Sequence, residues 1–346
     1  MRPVRTLIVD DSASMRATLK RMLSADPEIE VVGAAPDPFA ARDMIKTLHP
    51  DVLTLDVEMP GMDGLSFLER IMRLRPMPVV MCSTLTARGA EVTIEALRLG
   101  AVDYVTKPSG TPDDIERDAE LLCEKVKNAA RSVVRSTPQR VADQPALAGG
   151  AAGKLIAIGS STGGVEALFS LLPALPADCP PVLIVQHMPA SFTRSFADRL
   201  NGECRVHVTE ASHGAQVQPG TVYIAPGGET HMELAGGVAG RIMLRRGDTV
   251  TGHRPSVDVL FRSVVPLGPA AVGVILTGMG ADGAEGLLAM RGAGARTLGQ
   301  SRDTCVVWGM PRAAKELGAV EKEVGLSGMP EAILKACRET SKVGSA

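Results

Sequence analysis

The sequence predicts two α/β domains, each built on a parallel sheet, joined by a linker. Three observations carry this. Short runs of β-branched and aliphatic residues alternate with amphipathic segments, the pattern of parallel strands with helices on both faces. The alternation stops near residue 128 and restarts at Leu155. The 346 residues suffice for two domains, each with its own core.

In the first domain, residues 1–128, strands are expected at Thr6–Val9, Val31–Gly33, Val52–Leu55, Val79–Ser83 and Val102–Val105. Helical patterns follow near 14–25, 38–47, 65–74, 88–99 and 113–130. Five such strands fit a doubly wound sheet of order 2-1-3-4-5. Residues 129–153, AARSVVRSTPQRVADQPALAGGAAG, have no lasting apolar period and read as a linker. Residues 1–128 carry 16 basic and 21 acidic groups, residues 129–154 carry 4 and 1, and the remainder carries 17 of each. A basic linker could lie against an acidic domain or serve as a solvated tether.

The second domain, residues 154–346, has expected strands at Leu155–Ile158, Val182–Val185, Thr221–Ala225 and Ala271–Thr277. Its helical patterns lie near 164–175, 191–200, 281–291 and 329–338. It reads as a doubly wound α/β unit. Two segments, His231–Leu234 and Arg241–Arg245, read as an antiparallel hairpin on the edge of its sheet. Residues Glu339–Ala346 read as a frayed end.

Composition narrows the function classes. The chain is 45% hydrophobic and 22% charged with a net charge of −2, as in globular proteins. Aromatics are 3%, which disfavours base-stacking platforms, and the neutral second domain disfavours DNA binding. No apolar stretch reaches the ~20 residues that span a membrane. The first apolar run stops at Asp10-Asp11, too short for a signal peptide. The six cysteines form no C-x-x-C pair and fit buried thiols in a reducing compartment, so the expected location is cytoplasmic.

Asp10 and Asp11 follow the first strand and Asp56 follows the third. In the 2-1-3-4-5 order these carboxyl ends meet at the switch point, where ligands bind. Converging carboxylates need a cation or a raised pKa, and an all-oxygen cluster suits Mg²⁺. Ser83 ends the fourth strand, and Lys107 follows the fifth, just before Pro108. A hydroxyl, an ammonium and a metal could hold three phosphoryl oxygens while the Asp56 carboxylate accepts the group. Singly, the acidic residues could be helix N-caps; the joint pattern favours a site. The motifs D-D-S-x-x-x-R (Asp10–Arg16), D-V-x-M-P-G-M-D-G (Asp56–Gly64) and Y-V-T-K-P (Tyr104–Pro108) resemble those of response-regulator receiver domains. The resemblance implies a flavodoxin-like fold, phosphorylation of Asp56 by a histidine kinase, and switching through Ser83 and Tyr104.

In the second domain Leu155–Ile158 runs into Gly159-Ser160-Ser161-Thr162-Gly163-Gly164 and a helix. Such a turn can cradle a phosphate or expose a nucleophilic serine, here Ser161 in a G-x-S-x-G pattern. A serine nucleophile needs a base and an orienter. His187 follows the second strand, and Asp282 follows the fourth, Ala271–Thr277, across Gly278-Met279-Gly280-Ala281. All three lie past the carboxyl ends of strands, which in a parallel sheet share one rim. Each also has a plain structural reading, such as a helix N-cap for Asp282. The other histidines, His49, His207, His213, His231 and His253, lack this placement.

Residues 154–338 carry the stretches Gly159–Gly164, V-Q-H-M-P (Val185–Pro189), F-T-x-S-F-A-x-R-L (Phe192–Leu200), Y-I-A-P-G-G (Tyr223–Gly228), R-P-S-V-D-V-L-F (Arg254–Phe261), T-G-M-G-x-D-G (Thr277–Gly283) and W-G-M-P-R-A-A (Trp308–Ala314). In these the region resembles the catalytic domain of the chemotaxis protein-glutamate methylesterases of the CheB family. The likeness implies Ser161 as nucleophile, His187 as base and Asp282 as orienter. Thr162 would support the Ser161–His187 geometry, and the Met279 backbone N–H would help hold the oxyanion. His253, Arg254 and Pro255–Phe261 would line the substrate groove.

The expected function is therefore a phosphorylation-activated serine esterase. It would demethylate glutamate methyl esters and deamidate glutamines on methyl-accepting chemoreceptors. The implied partners are those receptors and a chemotaxis histidine kinase, with no nucleic acid, no membrane insertion and a monomeric chain. Mg²⁺ is expected in the receiver and no cofactor in the catalytic domain. The unmodified receiver is expected to cover part of the catalytic edge. Two other readings stand beside this one: a non-enzymatic receiver-controlled scaffold, and a nucleotide-binding domain using Gly159–Gly164.

Overall fold

The computed structural model describes residues 2–59, 63–84, 86–108, 111–132, 134 and 153–339. Most of the linker stretch, Pro60–Met62 of the second receiver motif and residues 340–346 of the tail lie outside the described residues. The chain divides into two compact units, residues 1–138 and 139–346.

The first unit alternates strand and helix without interruption. Its elements are β1 (Val4–Val9), α1 (Ala13–Ser24), β2 (Ile29–Ala35), α2 (Pro38–Leu48), β3 (Val52–Asp56), α3 (Gly64–Leu74), β4 (Val79–Ser83), α4 (Ala87–Arg98), β5 (Asp103–Thr106) and α5 (Pro112–Ala130). The strands pair in parallel in the order β2-β1-β3-β4-β5, as expected from the alternation. The inner strands β3 and β4 are buried at every position, which is why they read as continuous apolar runs. Side-chain caps start the helices: Ser12, Asp37, Asp63 and Thr86 each accept a backbone N–H of the first turn of α1 to α4 in turn.

The second unit is built on a seven-stranded parallel sheet. It comprises β6 (Leu155–Ser160), α6 (Gly164–Leu171), β7 (Val182–Gln186), α7 (Ala190–Asn201), β8 (His207–Glu210), β9 (Thr221–Ile224), β10 (Thr230–Ala235) and β11 (Arg241–Arg246). There follow α8 (Val257–Val264), β12 (Ala271–Ile275), α9 (Ala284–Gly292), β13 (Arg296–Gln300), α10 (Met310–Glu316), β14 (Lys322–Val324) and α11 (Met329–Arg338). The order β14-β13-β12-β6-β7-β9-β8 puts β6 in the centre, between β12 and β7. The carboxyl ends of β12, β6 and β7 are therefore neighbours.

Two expectations are corrected. The hairpin β10–β11 forms its own two-stranded sheet and does not extend the large one. Its buried side chains, Met232, Leu234 and Ile242, join the core around Val257, Leu260 and Phe261 of α8. Those three α8 residues are fully buried, so most of Pro255–Phe261 is scaffold rather than groove wall. Among the described residues no helix is long and apolar enough to cross a membrane.

Candidate active site

Strand β6 ends at Ser160, and a second serine follows it in a different environment. Ser160 is fully buried, and its hydroxyl donates to Gln186 Oε1 at 2.7 Å. Ser161, one residue on, is half-buried. Its N–H donates to the Thr277 carbonyl, and its carbonyl accepts the Gly164 N–H. The turn then needs Gly163: φ is +76°, and a Cβ there would sit 2.5 Å from Val306 Cβ. The turn leaves Ser161 at the mouth of α6, against Gly278. A Cβ on Gly278 would lie 2.8 Å from Ser161 Cβ.

Ser160 pairs in register with Gln186, so Ser161 and His187 are the first residues past the ends of two adjoining strands. Adjacent strands lie about 4.8 Å apart, which brings the two side chains to one rim. Gln186 fastens them together: its Nε2 donates to the Ser161 carbonyl at 3.0 Å and to the His187 carbonyl at 3.1 Å. Sequence reading missed this residue, because an amide ending an apolar strand gives no clue to its partners.

His187 Nε2 lies 2.8 Å from Asp282 Oδ2. The imidazole is 8% exposed and the carboxylate 0%. His187 Nδ1 is buried without a hydrogen-bond partner. Asp282 is not the N-cap of α9, since Gly283 holds that position. The carboxylate instead receives the start of α8. Oδ2 accepts the Val257 N–H at 2.7 Å, and Oδ1 accepts the Ser256 hydroxyl at 2.7 Å and the Asp258 N–H at 3.1 Å. Burial pushes the Asp282 carboxyl up, but the His187 contact, the Val257 N–H and the Ser256 hydroxyl outweigh it. The net shift is below the usual carboxylate range. Asp282 is thus held as an anion facing an imidazole.

The remaining expected residues surround this pair. Thr162 is buried, and its carbonyl accepts the Thr277 hydroxyl at 3.0 Å. Met279 follows Gly278, whose carbonyl accepts the N–H groups of Gly309 and Met310. His253 stacks on the His187 ring, centroids 3.7 Å apart and planes 13° from parallel. Arg254 ties two loops, donating from Nε to the Gly228 carbonyl at 2.8 Å and from Nη1 to the Gly247 carbonyl at 2.7 Å.

The first unit holds the carboxylate cluster at its own rim. One oxygen each of Asp10, Asp11 and Asp56 lie within 4.8 Å of one another. The Lys107 ammonium bridges Asp10 at 3.0 Å and Asp56 at 2.7 Å. Burial raises the Asp56 carboxyl, Lys107 opposes this and Asp10 adds to it; the net is upward. Burial pulls the Lys107 ammonium down, but Asp56 and Asp10 outweigh it and raise it. This crowded oxygen set fits a hard divalent cation. Ser83 is fully buried, with its hydroxyl directed at the carbonyls of Thr84 and Gly89 rather than at Asp56. Tyr104 is buried, with Lys125 Nζ 4.7 Å from its ring centroid.

Comparison with known proteins agrees on both units. Residues 156–333 match the CheB methylesterase family, and residues 6–119 match the response regulator receiver domain. The chain is 58% identical to protein-glutamate methylesterase/protein-glutamine glutaminase 1 of Caulobacter vibrioides, over 96% of this chain and 98% of that one. It is 52% identical to the protein-glutamate methylesterase/protein-glutamine glutaminase of Bordetella bronchiseptica, over 96% and 97%. The crystal structure of the Thermotoga maritima CheB methylesterase catalytic domain is similar at 37% identity and a TM-score of 0.51. It covers 53% of this chain and 98% of that one.

Proposed function

This chain belongs to the CheB methylesterase family, with a response regulator receiver domain at its amino end, and from that premise we propose that Ser161, His187 and Asp282 carry its hydrolytic chemistry. The protein is a phosphorylation-regulated protein-glutamate methylesterase and protein-glutamine glutaminase of chemotaxis. Its substrates are chemoreceptors and its receiver answers to a histidine kinase. The cytoplasm suits these partners and the six free thiols.

The observation that carries the residue assignment is the contact of His187 Nε2 with the buried Asp282 carboxylate. With Nε2–H donated to Asp282, Nδ1 keeps its lone pair and is the base. Ser161 Oγ attacks the γ-carbonyl carbon of a glutamate methyl ester as Nδ1 takes its proton. The tetrahedral oxyanion is held by backbone N–H groups, with Met279 as one donor. Collapse breaks the C–O bond to methoxide, which takes the proton from Nδ1 and leaves as methanol. Water, deprotonated by Nδ1, then cleaves the acyl-enzyme and restores Ser161 and a free glutamate. A glutamine side chain follows the same course and releases ammonia. Asp282 stabilises the imidazolium that forms between the steps. The ring of His253 covers one face of His187, and Arg254 holds the loops beside it as part of the groove.

In the receiver, Asp10, Asp11 and Asp56 would hold Mg²⁺, which supplies positive charge beside an incoming phosphoryl group. Asp56 is the acceptor and Lys107 a fixed cation for phosphoryl oxygens. Ser83 and Tyr104 are the switch residues. From its present direction Ser83 would have to turn toward Asp56 to contribute.

The test is methanol release from methylated receptor by the native protein and by Ser161→Ala. We expect the substitution to lower the rate by about 10⁶. Equal release by both proteins would end the assignment of Ser161 and return the second unit to a binding role.

A further inference from the structure

The Asp282 carboxylate depends on donors from an element that the parallel sheet does not contain. Three of its four donors come from the start of α8: the Ser256 hydroxyl and the N–H groups of Val257 and Asp258. Ser256 is the N-cap of α8, and its own N–H donates to His231 Nδ1 at 3.1 Å. His231 stands on β10 of the separate hairpin and is 5% exposed. Its Nε2 lies 2.8 Å from the Asp248 carbonyl. One partner is an N–H donor and the other a carbonyl acceptor. Only a neutral ring with its proton on Nε2 satisfies both.

The hairpin is also fastened further along the helix, where the Leu234 N–H donates to Ser263 Oγ at 2.9 Å. Ser263 in turn donates to the Leu260 carbonyl. The start of α8 therefore has one polar attachment to the hairpin at Ser256 and a second one seven residues later. The first is the one that sets the direction of the donors at Asp282.

We propose that His231 is a positioning residue for hydrolysis: by accepting the Ser256 N–H it fixes the start of α8, and so the orientation of the Asp282 carboxylate against His187. This rests on the triad reading above and deepens it. Without the Nδ1 acceptor the Ser256 N–H is buried and unpaired, and the cap relaxes away from Asp282. The carboxylate then holds the imidazole less firmly, and the acylation step slows while substrate binding is retained.

The side chain can be divided by substitution. In His231→Asn the amide oxygen falls where Nδ1 stands and can accept from Ser256. In His231→Gln the amide nitrogen falls where Nε2 stands and can reach Asp248 but not Ser256. Full-length protein and methylated receptor are used, with methanol release as the rate. The expected result is that His231→Gln lowers kcat about tenfold with KM unchanged within about twofold, and that His231→Asn restores most of the loss. The downfield proton resonance of His187 Nε2–H should shift in His231→Gln and return toward native in His231→Asn.

Equal rates and resonances for the two variants would overturn the proposal, whether both are impaired or both native. If His231→Gln does not fold, His231→Leu, which also offers no acceptor to the Ser256 N–H, carries the test against His231→Asn. His231→Leu should show the same loss of kcat and the same shift, and native values would overturn the proposal. Ser161→Ala separates the two readings. If it is inactive while His231→Gln matches native, hydrolysis stands and the positioning role falls. If it retains turnover the triad reading fails, and the resonance alone still decides whether His231 acts on Asp282.

Discussion

In the proposed triad, the nitrogen of His187 that would serve as base is decided by Asp282, and the sequence does not contain that choice. Spacing from the strands brings Ser161, His187 and Asp282 to one rim, but only folding shows Nε2 on the carboxylate. It also shows Ser160, not Ser161, turned inward to Gln186. Asp282→Asn should test the arrangement sharply. Its amide could donate to Nε2 and so drive the proton onto Nδ1, where the base is needed; turnover should fall by about 10⁴. The stability effect has a sign as well. The Asp282 carboxyl is depressed in the native state. Its ionised form therefore contributes stability above the unfolded carboxylate value of about 3.9, lost as pH falls through the lower folded value. Asp282→Asn should be less stable than native at pH 7 by about 1–3 kcal/mol, and the gap in urea midpoints should narrow in acid. A constant gap down to the lowest pH at which both fold would contradict this.

At the scale of elements, legibility follows burial only where burial coincides with an apolar run: β13 is buried at four of five positions yet unread, because Arg296, Thr297, Gly299 and Gln300 leave only Leu298 as an apolar residue. The inner strands β3, β4, β6, β7 and β12 are buried throughout and stand out as apolar runs. The strands β8 and β14 are the edges of the large sheet; they are short and half-polar, and their pattern is lost among loops. Helix α8 did carry a signal, in the spacing of Val257, Leu260, Phe261 and Val264 behind Ser256, though its valines also suit a strand. Its place beneath Asp282 and the hairpin's attachment to it are long-range facts that no local pattern encodes. The turn from β6 to α6 is the element most exposed to test. Gly163→Ala places a side chain at φ +76° and against Val306. It should cost about 1–3 kcal/mol and displace Ser161, so that the thermal midpoint and methanol release both fall. A variant that keeps the native midpoint and rate would show that the turn relaxes freely.

For the whole molecule, control of the second unit begins with the charge held by the first. Asp56 is 1% exposed, beside Asp10 and Lys107, and burial with Asp10 holds its carboxyl above the usual range. A raised carboxyl costs native stability as pH climbs from the unfolded value of about 3.9 through the folded value, and the full cost persists at neutral pH. Asp56→Asn removes that cost. In metal-free buffer at pH 7 it should stabilise the receiver by about 1 kcal/mol, read as slower hydrogen exchange of the β1 and β3 amides. Adding Mg²⁺ should protect those amides in the native protein, since a ligand bound only to the folded state stabilises it. The variant lacks one of three carboxylates and should respond much less. The same substitution removes the proposed phosphoryl acceptor, so kinase and ATP should raise methanol release by the native protein and leave Asp56→Asn at its unphosphorylated rate. Stabilisation without loss of kinase response would place the acceptor elsewhere. Loss of response with no change in exchange would mean that Lys107 already neutralises the cluster in the absence of metal.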